Sequence, residues 1–458
     1  MTRRLSPLLA LAAAACATPG ARPPATTPPP GIEAGFAPLP SASIAPVPDQ
    51  WWRLFDDPEL DRLVAASLAA NADLRVAYAN LDAARAALRQ ARAQRLPQAT
   101  IESSLTLDDP ANQPSAATVS SSDYDIAATI NWDADLFGRL RAGALAARAD
   151  AAAAEAAADG VRVAVVADTV LAYVDLCGAH RAEAVSREIV AAQTRSVEML
   201  RDQLRAGEIS PLEVSQAENM RATAEASVPG FTAQRSNALY RLATLQGLAP
   251  AAARGWNLSC TAVPHLSGTA PVGDGTALLL RRPDIREAER KLAAAAARVG
   301  VARAELYPKV NLGGALGLLR GDFSAALSPL VSWALPNVPG RAKLAQARAT
   351  EAGTLASWDV AVLRALREVE TALAEMDGEV RRNRALADAE QAGALYAKRS
   401  AARVRLGDAA PLLRIDAERS LATARLERAR SDLLVARNQV LLFRALGGGW
   451  QASPAEGQ

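Results

Sequence analysis

Two similar stretches, two hundred positions apart, constrain the fold of this chain more than any other feature. Residues 205–218 read RAGEISPLEVSQAE, and residues 405–418 read RLGDAAPLLRIDAE. Each follows a long segment rich in Ala, Arg and Leu, and each places a Gly shortly before a Pro. Because Gly commonly ends a helix and Pro is favoured in the first turn of the next, each stretch predicts a tight turn between two helices. The same turn is therefore predicted twice.

Other segments repeat in the same order. Residues 72–81 correspond to residues 283–292 at an offset of 211, and the dipeptide at 138–139 returns at 340–341. Each half of the chain then reads as helix, strands, long helix, turn and returning helix. A period of this length indicates a duplicated domain rather than a solenoid of short repeats.

Two uninterrupted helices are predicted at residues 139–204 and 341–406, where no proline occurs. At 1.5 Å per residue each would be about 100 Å long, far more than a globular core requires. Each returns through a shorter helix, so that two helical hairpins are expected at residues 139–247 and 341–447. Long paired helices of this kind predict a tube of packed, coiled-coil-like hairpins.

Strands are predicted at about residues 98–136 and 308–336. Residues 124–136 alternate apolar and polar side chains over a dozen positions, the pattern of a strand with one apolar face. Residues 101–107 are its expected hairpin partner, and residues 310–318 and 330–335 form the second pair. Four strands cannot close a membrane barrel, since about eight is the smallest common number. Several copies must share a barrel if these strands span a membrane; a half-buried strand in a soluble sandwich is the alternative.

The N-terminus reads as an export signal. Arg3 and Arg4 precede a short apolar run, so residues 1–15 are predicted to be a signal peptide. The junction before Cys16 resembles a bacterial lipobox, which would make Cys16 a lipid-modified first residue; an ordinary cleavage site with an incidental Cys is the alternative. No later segment reaches the roughly 20 apolar residues that a membrane helix needs.

Helix starts are predicted from capping residues after a Pro-rich tether that ends near residue 50. Asp57, followed by Pro58, is expected to cap a short helix, and Asp73 is expected to cap the next.

The residue inventory predicts neither a catalytic nor a metal site. The two histidines have no Cys or Glu at ligand spacing, and no phosphate-binding loop or catalytic triad is recognisable. A net charge of +2 gives no indication of nucleic acid binding.

Cys177 and Cys260 fall at similar heights when residues are counted along the first hairpin from Gly207. An exported protein could bridge them; two unpaired buried cysteines are the alternative.

These features together resemble the TolC-type outer-membrane efflux factors, in the lipoprotein (NodT/OprM-like) branch that works with resistance-nodulation-division (RND) pumps. The resemblance rests on the following motifs, which extend over nearly the whole mature chain: WWRLFDDPELDRLV (51–64), WDADLFGRLRA (132–142), RRPDIREAE (281–289), RLGDAAPLLRIDAERSL (405–421) and FRALGGGW (443–450).

The resemblance implies a mainly α-helical, duplicated protomer that gives four strands to a β-barrel. A homotrimer would close twelve strands into one barrel in the outer membrane and continue it as a helical tube into the periplasm. The implied partners are a periplasmic membrane-fusion adaptor and an inner-membrane RND transporter. Substrates would pass through passively. No cofactor is implied beyond the covalent lipid on Cys16.

The resemblance also implies that the second-half turn lines the periplasmic aperture, at Leu412 and Asp416. Three copies of Asp416 would form an acidic ring that favours cations, and Leu412 an apolar constriction. The first-half equivalents are Leu212 and Gln216. In the alternative reading, Asp416 is a solvated helix residue paired with a nearby Arg.

The sequence therefore predicts the channel component of a tripartite pump that exports drugs or other small molecules. A periplasmic coiled-coil scaffold or adaptor, and the outer-membrane factor of a protein secretion system, are the alternatives. The expected divisions are a signal peptide (1–15), a lipidated tether (16–50), a first repeat (51–247), a linking belt (248–280), a second repeat (281–450) and a tail (451–458).

Overall fold

The computed structural model describes residues 24–27, 36, 42–43, 45–107, 122–256, 258, 260, 262–266, 268–273, 278, 281–319 and 322–448. The predicted signal peptide, Cys16 and the C-terminal tail lie outside these residues. The chain divides into two compact units. The first consists of Met1–Pro28, Ala79–Ala156 and Arg286–Ala361, and the second of Pro29–Tyr78, Ala157–Ile285 and Val362–Gln458.

The helices follow the predicted duplication. The main α-helices among the described residues are α1 (Pro58–Ala70), α2 (Ala72–Ala93), α3 (Arg139–Arg205), α4 (Pro211–Leu245), α5 (Pro283–Ala304), α6 (Val338–Arg405) and α7 (Pro411–Ala445). Helices α3 and α6 contain 67 and 68 residues, which confirms the two long helices expected from the absence of proline.

Two sheets are present among the described residues. A parallel pair joins β1 (Ala42–Ser43) to β4 (Ala270–Pro271) in the second unit. The first unit contains an antiparallel sheet with the order β2 (Gln98–Leu107), β3 (Ser122–Asp133), β5 (Lys309–Leu319) and β6 (Asp322–Ser332). The predicted set of four strands is thereby confirmed, and β2 and β6 form the two edges of the sheet.

Two strand boundaries differ from the sequence prediction. The prediction that the last strand occupies residues 330–335 was wrong, because β6 runs over Asp322–Ser332. Its early residues include Ser324 and Ala326, which give a weak apolar signal, and it continues through Pro329. Strand β3 stops at Asp133 and not at residue 136, because Asp135 adopts a positive φ of 44° and its carboxylate accepts bonds from the amides of Leu140 and Arg141.

The core of the second unit surrounds an N-terminal aromatic cluster. Trp51 is fully buried and stacks on Phe443 of α7 with ring centroids 4.9 Å apart, and Phe55 packs edge-on against it. The predicted cap at Asp57 is confirmed, since its Oδ1 accepts the amide of Glu59 at 3.0 Å. The other oxygen accepts a hydrogen bond from the buried Tyr173 hydroxyl at 2.8 Å, and burial, together with this carboxylate, raises the pKa of Tyr173. One side chain thus starts α1 and attaches it to α3.

The prediction of Asp73 as the cap of α2 was wrong. The cap is Asn71, whose Oδ1 accepts the amide of Leu74 at 3.1 Å. Its Nδ2 donates to the carbonyl of Leu245, the last residue of α4, at 2.9 Å. A buried Asn can fill both roles with one amide group, whereas a carboxylate has no donor for the carbonyl.

Candidate functional site

The four-stranded sheet of the first unit has one apolar and one polar face. Partners in an antiparallel pair point to the same side, so the observed register assigns each residue to a face. Ile101, Ile130, Leu316 and Leu327 share the apolar face and are 77, 48, 51 and 81 % exposed. Nothing in the described part of the chain covers this face, which therefore needs an apolar environment from outside.

The opposite face carries polar side chains on all four strands, among them Glu102, Thr129, Asn311 and Ser328, with Leu330 as an exception. Alternation of this kind suits a strand that contacts lipid on one side and water on the other.

A tryptophan lies at the same end of each hairpin. The indole Nε1 of Trp132 donates to the carbonyl of Arg95 at 3.0 Å, and that of Trp333 donates to the carbonyl of Leu306 at 3.2 Å. Both rings remain partly exposed. An exposed indole with its N–H satisfied is typical of the boundary between an apolar and an aqueous phase.

The two predicted helix–helix turns have the same geometry. Gly207 and Gly407 have φ values of 76° and 74°, a region that L-residues other than glycine rarely adopt. The amides of Glu208 and Asp408 each return to a carbonyl five residues earlier, at 2.9 Å. This arrangement closes both hairpins in the Schellman manner and satisfies carbonyls that would otherwise be left free at a helix end.

Apolar packing joins the two hairpins near these turns. Ile415 of α7 packs in one buried cluster with Val197, Leu200, Val214 and Ala217 of the first hairpin. A polar link accompanies it: Ser196 of α3 donates to Glu418 of α7 at 2.6 Å, and Glu418 also pairs with Arg414 at 2.8 Å.

The two turns differ in how their second helix begins. Ser210 caps α4 by accepting the amide of Leu212 at 3.3 Å, and its hydroxyl donates to Glu213, which lowers the pKa of that carboxyl group. Ala410 occupies the equivalent place before α7 and provides no side-chain cap. The second-half turn therefore lacks a stabilising contact that the first-half turn has.

Leu412 and Asp416 lie together on the exposed side of α7. Leu412 is 50 % exposed, and its position one helical turn before Asp416 puts both on one face. The carboxylate of Asp416 pairs with Arg419 of the same helix. The sequence had left such a pairing open as the alternative for Asp416, and the i, i+3 spacing identifies Arg419 as the arginine concerned.

The two other predicted site residues lie together in the second unit. The Sγ atoms of Cys177 and Cys260 are 1.98 Å apart and the Cα atoms 5.2 Å apart. Both residues are buried. Within the described ranges, no group of three or more His, Cys, Asp or Glu side chains could hold a metal ion. None of the helices described is both long and apolar enough to cross a membrane.

An exposed apolar sheet face bordered by tryptophans, combined with paired helical hairpins, defines a class of outer-membrane channel proteins. The chain belongs to the outer membrane efflux protein family, whose model matches residues 63–248 and 276–448.

Relatives and solved structures agree with this assignment. The chain is 31 % identical to outer membrane protein OprJ of Pseudomonas aeruginosa over 91 % of its own length and 93 % of that protein. It is 27 % identical to nodulation protein T of Rhizobium leguminosarum bv. trifolii, covering 87 % and 88 % of the two chains. The structure of the outer-membrane channel OprN superposes with a TM-score of 0.86 at 34 % identity, over 95 % of this chain and 100 % of that one.

These comparisons confirm the resemblance drawn from the sequence, including its NodT/OprM-like branch. The protein is the outer-membrane component of an RND-type efflux system, located in the outer membrane and extending into the periplasm. Family and fold are those of passive channel proteins.

Proposed function

We propose that three copies of this chain close one twelve-stranded barrel and form the passive exit duct of a tripartite pump. The observation that supports this most directly is the sheet of the first unit, which exposes an apolar face and has two unpaired edges, β2 and β6. The four strands alternate in direction, so β6 of one copy can pair antiparallel with β2 of the next. Three sheets then leave no free edge, as a structure in lipid requires.

The proposal can be tested by the mass of the purified protein in detergent. Light scattering combined with refractive index should give a protein mass three times that of the chain, which is 47.9 kDa before any processing. A monomer at the concentrations used for channel recordings would contradict the proposal.

A periplasmic adaptor and an RND transporter are the partners we expect, because the relatives are outer-membrane efflux proteins. Export of drugs or other small molecules fits such an assembly better than a scaffold role or protein secretion.

We further propose that Leu412 and Asp416 line the periplasmic aperture of the trimer. Their shared exposed face on α7 is consistent with this role. The ion pair between Asp416 and Arg419 means that the ring of three Asp416 side chains would also contain three arginines. Three Asp416–Arg419 pairs would place charges of both signs around the axis. The preference for cations would then depend on the balance between the two residues.

Opposite changes in ion selectivity are expected from the two members of this pair. Arg419→Gln frees the carboxylate and should shift the reversal potential in a salt gradient towards cations, whereas Asp416→Asn leaves three arginines and should shift it towards anions. Leu412→Ala should raise single-channel conductance by widening the apolar constriction. The recordings use the wild-type trimer and its variants in planar bilayers.

The first-half turn supplies the matched control for these recordings. Leu212→Ala makes the same change at the equivalent position, where the residue is 65 % exposed, and should leave conductance unchanged. If Leu412→Ala leaves conductance unchanged as well, Leu412 does not form the constriction.

A lipid anchor at Cys16 remains part of the proposal, supported by the small residues that precede it. Cells grown with labelled palmitate should incorporate the label into the wild-type protein. Cys16→Ala should abolish incorporation, and persistent label would exclude Cys16 as the attachment site.

We also propose that Cys177 and Cys260 are bridged in the exported protein. The 5.2 Å between their Cα atoms supports this, because it lies within the range that a disulfide can span. Peptide mapping without reductant should recover one linked peptide pair, and two alkylated cysteines would contradict the bridge. Because 83 positions separate the two residues, the bridge should stabilise the fold by about 4.5 kcal/mol in the chain-entropy account.

A further inference from the structure

The internal repeat allows the unseen junction between two copies to be specified. We propose that Glu102 of one copy lies beside Ser332 of the next across the junction, where it forms an ion pair with Lys309 of that second copy. The inference rests on the trimer proposed above. It deepens that proposal by assigning a register and a charged contact to the junction between β6 and β2.

The two hairpins of the sheet are equivalent residue by residue. An offset of 211 carries β2 onto β5, and an offset of 201 carries β3 onto β6. These offsets convert the pair Gln98↔Asn131 into Lys309↔Ser332, which is the pair observed between β5 and β6. They also convert the Trp132–Arg95 hydrogen bond into the Trp333–Leu306 hydrogen bond. Two independent contacts thus establish the same correspondence.

The junction within the chain is therefore a template for the junction between chains. Strands β3 and β5 join the two hairpins of one copy, and β6 and β2 would join the hairpins of neighbouring copies. The observed pair Asn131↔Gly313 becomes Ser332 opposite Glu102 of the next copy when the two offsets are applied. Since partners share a face, Glu102, Ser332 and Lys309 lie in one row on the polar side of the sheet.

The charges in this row are complementary and otherwise unpaired. Glu102 and Lys309 are both exposed, and neither has an ion-pair partner among the residues that the structure describes. Glu305 lines the same pocket beside β6 as Lys309, but its carboxylate pairs with Lys343 at 3.1 Å. An anion without an ion-pair partner is thus left on the edge strand β2, and a cation without one is left on β5, beside the other edge strand β6.

Side-chain length is sufficient for the contact. Glu102 and Lys309 would be two strand spacings apart, which is about 10 Å between their backbones. A lysine and a glutamate extended towards each other across the small Ser332 can cover that distance. The equivalent row inside one copy contains Gln98, Asn131 and Gly313 and carries no charge. The ion pair would therefore occur only where one copy must recognise another.

The apolar face is consistent with the same register. Trp132 lies opposite Leu312 in the chain. The two offsets place Trp333 opposite Ile101 of the next copy. Ile101 is 77 % exposed and Trp333 54 % exposed. The proposed register covers one with the other and reproduces a contact already present between β3 and β5.

Cysteine cross-linking tests the register in the full-length protein in outer membranes. The double variant Glu102→Cys with Ser332→Cys places the two thiols directly opposite each other across the junction, and oxidation should convert the chain into covalent dimers and trimers. Thr100→Cys with Ser332→Cys moves one thiol two residues along the same face and is the matched control. Diagonal partners are separated by roughly 7–8 Å, too far for efficient bridging.

The outcomes separate this inference from the proposed function. A monomeric wild-type protein in light scattering would overturn both. A trimer that cross-links through Thr100→Cys in preference to Glu102→Cys would overturn the register and leave the trimer intact. Selective bridging through Glu102→Cys supports the proposed junction.

Charge reversal tests the ion pair itself. Glu102→Lys and Lys309→Glu should each lower the temperature at which the trimer dissociates in dodecyl sulfate, and the combined variant should recover most of the loss. Lys309→Glu combined with Glu102→Thr and Thr100→Lys carries the same two charges off register and should not recover. Equal recovery by both combinations, or single variants without effect, would overturn the pair.

Discussion

Replacing Gly247 with alanine is expected to destabilise the second unit by about 3 kcal/mol, through backbone strain and a steric clash combined. Gly247 ends the last turn of α4 with a φ of 69°. A Cβ built on it would lie 2.5 Å from the carbonyl oxygen of Ala70, which belongs to the backbone of α1 and cannot rotate away. The change should lower the apparent Tm of the detergent-solubilised protein, measured by differential scanning fluorimetry.

Gly207 is the matched control because it separates the two causes. Its φ of 76° imposes the same backbone strain, but apart from the neighbouring backbone no atom of the described residues lies within 4 Å of the position a Cβ would take. Gly207→Ala should therefore cost about 1 kcal/mol, the strain of a left-handed residue alone. Equal decreases in the stability of the two variants would show that the clash with the Ala70 carbonyl does not contribute to the destabilisation.

Replacing Arg282 with methionine is expected to cost about 1–3 kcal/mol, because it leaves the buried carbonyl of Ala445 without a donor and two partly exposed carboxylates without their partner. The guanidinium group is buried and donates to Asp284 at 2.7 and 3.0 Å, to Glu368 of α6 at 2.7 Å and to the carbonyl of Ala445 at 2.7 Å. Methionine fills a similar volume but satisfies none of these groups. Thermal unfolding in detergent measures the loss.

An exposed arginine provides the comparison for Arg282. Arg62 pairs with Glu59 on the surface of α1, and an exposed pair of this kind contributes about 0–1 kcal/mol. Arg62→Met should therefore change the apparent Tm little. A small effect at Arg282 as well would mean that solvent reaches its partners when the guanidinium is removed.

The Arg282 contact is the second copy of one already described. Asn71 and Arg282 are separated by the repeat offset of 211, and their acceptors, the carbonyls of Leu245 and Ala445, end the two returning helices. Each repeat thus fixes the end of its returning helix with a donor from the residue just before α2 or α5. Different side chains perform one task, which sequence identity alone does not reveal.

Backbone requirements were the most predictable part of this fold. A glycine at positive φ and a proline in the first turn predict the helix–helix turns because few other residues fit there. The alternation of apolar and polar residues in β3 was equally informative, because successive side chains of a strand point to opposite faces of the sheet. Strand β6 escaped prediction because small residues and Pro329 weaken its pattern, and pairing with β5 compensates for that weakness only in three dimensions.

Side-chain choices between nearby partners were less predictable. Asn71 and Asp73 are both acceptable helix caps, and the carbonyl of Leu245, which lies 174 positions further along the chain, favours the amide. At the second-half turn, the sequence left open whether Asp416 is a free carboxylate at the aperture or pairs with a nearby Arg, and in the structure it pairs with Arg419. In both cases a competing neighbour decides the geometry.

The length of the strands also bears on which membrane the protein suits. Strands β2, β3, β5 and β6 contain 10, 12, 11 and 11 residues. Tilted as barrel strands are, such strands span about 25 Å, less than the roughly 30 Å hydrocarbon thickness of a typical bilayer. A thicker membrane would have to thin locally around the apolar face, at an energetic cost. The bacterial outer membrane is thinner than average, so strand length alone favours that membrane as the place where this sheet is most stable.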